Sequence, residues 1–176
     1  AHFLITSGTA TSARLVDPRL PPRSLHQFAP LDAPGPLKRF LAHWQPDAAI
    51  FVESEIWPQM LRRTHATGAP MALVNARMSD KTVEFWEKWP RTARYLFDVF
   101  TLIVTQNDAM ARHLIRMHAP ADRVSPGVNL KSMAGPLPVD AQALAAARTA
   151  LGGRAVWVAS STHEGEERSV LDAHKK

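Results

Sequence analysis

Four ionisable side chains crowd into the five positions His163-Glu164-Gly165-Glu166-Glu167, directly after Ser161-Thr162. They follow the apolar run Ala155-Val156-Trp157-Val158, which reads as a buried strand. A charge run placed where a strand gives way to a helix is notable, because ligands of open α/β sheets bind outside the carboxyl ends of the strands. Glu53 and Glu55 follow another apolar run, Ile50-Phe51-Val52. Their carboxylates suit proton abstraction or the stabilisation of a cationic centre. Taken alone, the pair is better read as helix N-terminal carboxylates favoured by the macrodipole. Ser7-Gly8-Thr9-Ala10-Thr11-Ser12 offers hydroxyls and backbone N–H groups at a helix start. That suits an anion, although simple capping explains it as well. It is neither a Walker loop nor a GxGxxG turn. Lys131, in a turn after Gly127, is a cation suited to a departing phosphate, or by itself a solvated lysine. His163, Glu164, Glu166, Glu167 and His174 match neither H-E-x-x-H nor a three-ligand spacing, so no metal is expected.

The elements that would position these groups alternate strand and helix. Strands are predicted at Phe3–Thr6, Ala48–Val52, Met71–Val74, Leu102–Thr105 and Ala155–Ala159, with a weaker one near Arg123-Val124. A Pro-rich loop covers Pro18, Pro21, Pro22, Pro30 and Pro34. Helices are predicted over Leu37–Trp44, from Pro58 to near Gly68, after a Ser79 or Asp80 cap, from Ala109 to about Met117, and over Ala141–Leu151. This order means βαβ units and a parallel sheet. Parallel strands put all their carboxyl ends on one side. Ser7 to Ser12, Glu53, Glu55, Asn75, Arg77, Gln106 and the Ser161–Glu167 run are therefore expected to converge. Thr82, Phe85, Trp86 and Trp89 form a helical stripe whose preferred reading is core-facing. With Lys88 and Arg91 nearby, a bilayer interface is the alternative.

The chain has 176 residues, a formal charge of +5 and no cysteine. Disulfide and zinc–thiolate readings are closed. The positive charge favours an anionic partner. Basic and aromatic residues do not interleave as in RNA-binding modules, so nucleic acid is not expected. No run of about 18 apolar residues is present to span a membrane. Gly135, Pro136 and Pro138 mark a linker.

Several motifs, taken in order, resemble the 3-deoxy-D-manno-octulosonic acid (Kdo) transferases. They are Ile5 to Ser12, Ala29-Pro30-Leu31-Asp32-Ala33-Pro34, Phe51-Val52-Glu53-Ser54-Glu55-Ile56-Trp57-Pro58 and Asn75-Ala76-Arg77-Met78-Ser79. They continue with Gln106-Asn107-Asp108-Ala109, Asn129-Leu130-Lys131 and Ser161 to Glu167. The resemblance implies a GT-B glycosyltransferase of two Rossmann-like domains, with a parallel sheet and flanking helices. It would move Kdo from CMP-Kdo to a lipid A precursor at the cytoplasmic face of the bacterial inner membrane, with inversion and without a metal or cofactor.

By that resemblance, residues 1–131 are an acceptor-binding domain truncated at its start, 132–150 a linker and helix, and 151–176 the beginning of a donor domain. Glu53 and Lys131 are the transition-state stabilisers. Ser7, Gly8, Thr9, Thr11, Ser12, Glu55, Asn75, Arg77, Ser79 and Gln106 are expected at the acceptor. Ser161, Thr162, His163, Glu164 and Glu166 are expected at the donor. The family's proton-accepting Glu belongs to an S-V-G-E-type motif that these residues do not contain, and its membrane anchor is likewise expected outside them. The segment is therefore expected to be inactive alone. Another GT-B transferase or epimerase, or a non-catalytic module docking anionic lipid, are the alternatives.

Overall fold

The computed structural model describes residues 1–136 and 138–175. Leu137, inside the predicted linker, and Lys176 lie outside the described residues. The chain divides into two compact units, Ala1–Ala134 and Gly135–Lys176.

The first unit opens with β1 (Phe3–Ser7) and α1 (Ala10–Val16), whose Thr9 cap accepts from the Ser12 N–H. The Pro-rich stretch expected as a loop contains a strand, β2 (Ser24–Phe28). It pairs with β1 in parallel as a separate two-stranded sheet. Its prolines flank the strand rather than interrupt it, so no ladder donor is lost. Next come α2 (Pro34–Trp44), β3 (Ala49–Val52), α3 (Pro58–His65) and β4 (Met71–Ala76). The unit closes with α4 (Asp80–Glu87), α5 (Pro90–Phe97), β5 (Leu102–Thr105), α6 (Asp108–Arg116) and β6 (Val124–Pro126). Strands β3-β4-β5-β6 lie in sequence order and are parallel throughout. Both sheets and their helices make this an α/β fold of parallel strands.

The core forms where helices cover one face of the larger sheet. Phe51, Leu73 and Ile103 from the sheet meet Leu61, Val83, Phe97 and Leu114 from α3 to α6. Burying such side chains contributes roughly 1.5–3 kcal/mol each. Alternation sends the next residues to the other face, where Ile50 is 68% and Val52 45% exposed. The apolar run at β3 is therefore buried on one face only.

The aromatic stripe is also corrected. One helix was expected, but the chain breaks at Lys88 and restarts with Pro90 as the first residue of α5. Val83 takes the buried core position, and of the stripe Trp86 packs part-buried against that core. Phe85 and Trp89 stay more than half exposed.

In the second unit, α7 (Ala141–Leu151) is capped by Asp140, which accepts from the Gln142 and Ala143 N–H groups. The predicted strand Ala155–Ala159 is not formed. A strand is stabilised by a ladder partner, and the described part of this unit offers none. Helix α8 (Glu166–His174) closes the unit.

Two contacts fix the loops that carry the strand ends. Asp32 caps α3 from a distance, its carboxylate accepting from the Gln59 N–H at 3.2 Å and from Met60. Gly127 runs so close to β5 that a Cβ there would lie 2.6 Å from Val104 Cγ1 and 2.9 Å from the Thr105 carbonyl oxygen. Asp32→Ala is expected to cost about 1 kcal/mol in urea unfolding. Gly127→Ala is expected to cost about 1–3 kcal/mol through overpacking against backbone.

Candidate functional site

At the carboxyl end of β3 the ladder runs one residue past the strand, with the Glu53 N–H donating to the Val74 carbonyl at 2.9 Å. The backbone then turns left-handed, with Glu53 at φ 61°. Only glycine adopts this readily. Other residues carry a penalty of about 1–2 kcal/mol, and Asn is the best tolerated. The turn separates the two carboxylates whose relative direction the sequence left open. Glu55 points away and accepts from the Trp57 indole N–H. Glu53 points along the sheet edge.

One strand over, Asn75 makes the same left-handed turn at φ 53° and is buried. Its amide divides two tasks. Nδ2 donates to Glu53 Oε1 at 3.4 Å, and Oδ1 accepts from the Leu130 N–H at 3.0 Å. The segment after β6 is thereby held against the sheet edge. There Asn129 caps a short 3₁₀ turn, Leu130–Met133, by accepting from the Lys131 N–H. The turn presents the Lys131 ammonium 2.8 Å from Glu53 Oε1. Residues separated by three strands and their connections thus form one cluster.

Glu53 is one-third exposed and Lys131 two-thirds exposed, so the pair sits at the protein surface. The hydrogen bond from Lys131 holds the Glu53 carboxyl below the usual carboxylate range. Partial burial opposes this, and the Lys131 and Arg77 charges add to the lowering. Ser54 anchors Arg77's main chain by donating to its carbonyl at 2.6 Å. The cluster is a carboxylate, ionised at neutral pH, facing an ammonium, with a second cation behind.

The remaining predicted residues sort differently. Ser79 accepts from the Thr82 N–H and caps α4. The Gln106 N–H donates to the Ala76 carbonyl at 3.3 Å, just past β5. Ser7 to Ser12 belong to the β1–β2 sheet, where Thr9 and Ser12 serve as a cap, Gly8 and Thr11 are exposed, and Ser7 bonds to His26. Ser161 and Thr162 to Glu167 lie in the second unit. The acids there, in the first turn of α8, tie down the turn that leads into it: His163 N–H donates to Glu166, and Thr162 Oγ1 and Gly165 N–H to Glu167. Glu164 is exposed. Among the described residues no group of three His, Cys, Asp or Glu side chains is placed to hold a metal. From the sequence, Gly127 and Asn129 entered only as neighbours of Lys131, with no structural task assigned to either. Their signal was the G-x-N-x-K spacing, in which a glycine permits close approach and an Asn caps the turn that carries the lysine.

The strained turn and the ion pair can be separated by substitution. Glu53→Gly removes the carboxylate and relieves the left-handed turn, so it is expected to be about 1 kcal/mol more stable than Glu53→Ala. Lys131→Met should raise the Glu53 pKa when followed by carboxyl NMR. A depressed carboxylate adds stability above its unfolded pKa and loses it as pH falls through the folded one. Wild type should therefore lose more stability than Lys131→Met on acidification, by about 0.2–1 kcal/mol for so exposed a pair.

Comparison with known proteins places this cluster in context. Residues 1–134 match the family model described as 3-deoxy-D-manno-octulosonic-acid transferase (kdotransferase). A probable 3-deoxy-D-manno-octulosonic acid transferase, mitochondrial, of Arabidopsis thaliana is 33% identical over 98% of this chain and 40% of its own length. The 3-deoxy-D-manno-octulosonic acid transferase of Rickettsia felis is 34% identical over 97% of this chain and 36% of its own length. That of Haemophilus influenzae is 25% identical over 97% of this chain and 40% of its own length. A solved UDP-N-acetylglucosamine 2-epimerase from Rickettsia bellii superposes with a TM-score of 0.46 at 18% identity, over 74% of this chain and 38% of that one. The chain spans about two fifths of the curated relatives it matches, and it belongs to the 3-deoxy-D-manno-octulosonic-acid transferase family.

Proposed function

We propose that the protein containing this chain is a glycosyltransferase that moves Kdo from CMP-Kdo to a lipid A precursor, with inversion and without a metal. The observation that carries this reading is the Glu53–Lys131 pair, 2.8 Å apart at the carboxyl edge of a parallel sheet. Departure of CMP from the sugar develops positive charge at the anomeric carbon and negative charge on the phosphate. A fixed carboxylate and an ammonium oppose those two charges and act most strongly where water is excluded.

In the resting arrangement the two groups neutralise each other. Substrate must part them, and Lys131 is the mobile member, being two-thirds exposed on a flexible stem. Separating a surface pair of this kind costs only about 0.2–1 kcal/mol. The departing phosphate supplies the ammonium with a replacement partner. Glu53 stays in place, held by the Asn75 amide and the left-handed turn. Because its pKa is lowered, Glu53 is poor at holding a proton near neutrality, and its role is electrostatic. The proton of the attacking hydroxyl goes to a carboxylate outside these residues.

In this reading the acceptor lies against the amino-terminal unit, near Arg77, Gln106 and the Ser7–Ser12 turn. The Ser161–Glu167 segment begins the CMP-sugar domain of a GT-B enzyme working at the cytoplasmic face of the inner membrane. Among the described residues no helix is long and apolar enough to cross a membrane.

The test is CMP release by the full-length protein from CMP-Kdo with a tetraacylated lipid A precursor, with and without EDTA. Wild type should turn over equally in both. Lys131→Ala and Glu53→Ala should each lose about 10²–10³ in kcat with near-native circular dichroism. Turnover of UDP-sugars in place of CMP-Kdo, or near-normal rates in either variant, would refute the reading. The 176-residue chain alone should release no CMP.

A further inference from the structure

The β1–β2 sheet carries a second polar relay, apart from the Glu53–Lys131 pair. Ser7 ends β1, and its Oγ lies 2.9 Å from Nε2 of His26 on β2. His26 Nδ1 lies 3.4 Å from Asp17 Oδ1. The strands are parallel with Ile5 opposite His26. Period-2 alternation then puts Ser7 and His26 on the same face as diagonal neighbours. The Phe28 ring stands edge-on to the imidazole at 5.8 Å. With 7% of its side chain exposed, the ring is held in place.

The partners set the tautomer. A carboxylate can only accept, so Nδ1 carries the proton toward Asp17 and Nε2 presents a lone pair to the Ser7 hydroxyl. A hydroxyl within reach of a base, itself oriented by a third group, is the arrangement that activates nucleophiles. Ser7 also stands where a strand turns into a helix, and the next residue is Gly8. The Gly8 N–H has no protein acceptor among the described residues, and a Cβ on Gly8 would meet nothing within 4 Å. Ser7 is thus approachable beside a free backbone donor.

We propose that Ser7 is an activated nucleophile with His26 as its base and Asp17 as the residue positioning that base, and that it takes acyl groups from small activated esters. Ser7 Oγ bonds to the acyl carbon as its proton passes to His26 Nε2. The Gly8 N–H meets the oxyanion. The carbon–oxygen bond to the leaving alkoxide then breaks, and the alkoxide departs with the proton from His26. Water, deprotonated by the same nitrogen, attacks the acyl-serine, releases the carboxylic acid and restores Ser7.

The 176-residue chain is treated with a fluorophosphonate probe and, separately, with p-nitrophenyl acetate, and modified peptides are mapped by mass spectrometry. The expected result is modification at Ser7 that is lost in urea and absent in Ser7→Ala. His26→Gln should react about 10²–10⁴-fold more slowly. Asp17→Asn should slow it too, with Asp17→Glu recovering part of the rate while circular dichroism stays native. Should His26→Gln fail to fold, the exposed Asp17 pair of variants carries the test. Folded wild type that labels Ser7 no faster than its other serines, or labelling unchanged in Asp17→Asn, overturns the proposal and leaves the relay as a strand-to-turn brace.

Discussion

One buried side-chain amide organises the edge of the larger sheet. Asn75 holds Glu53 with its nitrogen and the Leu130 main chain with its oxygen. Neither an aspartate nor a leucine of similar volume can do both, since one lacks the donor and the other lacks both functions. The left-handed turn at Asn75 aims the amide along the edge. The neighbouring left-handed turn at Glu53 is the strained counterpart. Strain of about 1–3 kcal/mol persists only where surrounding contacts over-determine the backbone. Here those contacts are the ladder bond to Val74 and the amide of Asn75.

The electrostatics follow from this frame. A surface carboxylate and ammonium gain little from one another, so the pair does not hold the fold together. Its geometry is fixed by neutral contacts, which leaves the charges free to exchange partners. The tight passage of Gly127 past β5 and the cap at Asn129 set where the ammonium starts. Arg77 supplies a second positive charge beside the carboxylate. The cluster thus sets two positive charges against one negative charge, in a chain of net charge +5.

Acids elsewhere in the chain show how far placement governs meaning. The His163–Glu167 run stood out by charge density, yet Glu166 and Glu167 accept from the His163 and Gly165 N–H groups of the turn that leads into α8. Four N–H groups at every helix start need partners, so acids at that position have a local use whatever else they do. Glu53 differs because its own segment gives it no such partner. Its contacts come from 22 and 78 residues further along the chain.

Apolar runs and their 3.6- and 2-residue periods were sufficient in the sequence to give the alternating strands and helices, the parallel sheet and the carboxyl-edge location of Glu53 and Asn75. Local capping was equally legible in the Ser7–Ser12 turn and at Ser79 or Asp80, because a cap depends on residues two or three apart. The strand at Ser24–Phe28 was hidden, since its pairing with β1 is non-local and prolines dominate its flanks. The strand expected at Ala155–Ala159 failed for the converse reason: apolar alternation proposes a strand, but only a neighbour's ladder makes one. The exposed faces of Phe85 and Ile50 likewise depended on which helices arrive to cover them. Sequence alone thus named the carboxylate and the ammonium. Their 2.8 Å approach, and the Ser7–His26–Asp17 relay, were decided by tertiary structure, because distance across parallel strands is set by register and backbone turn and not by spacing along the chain.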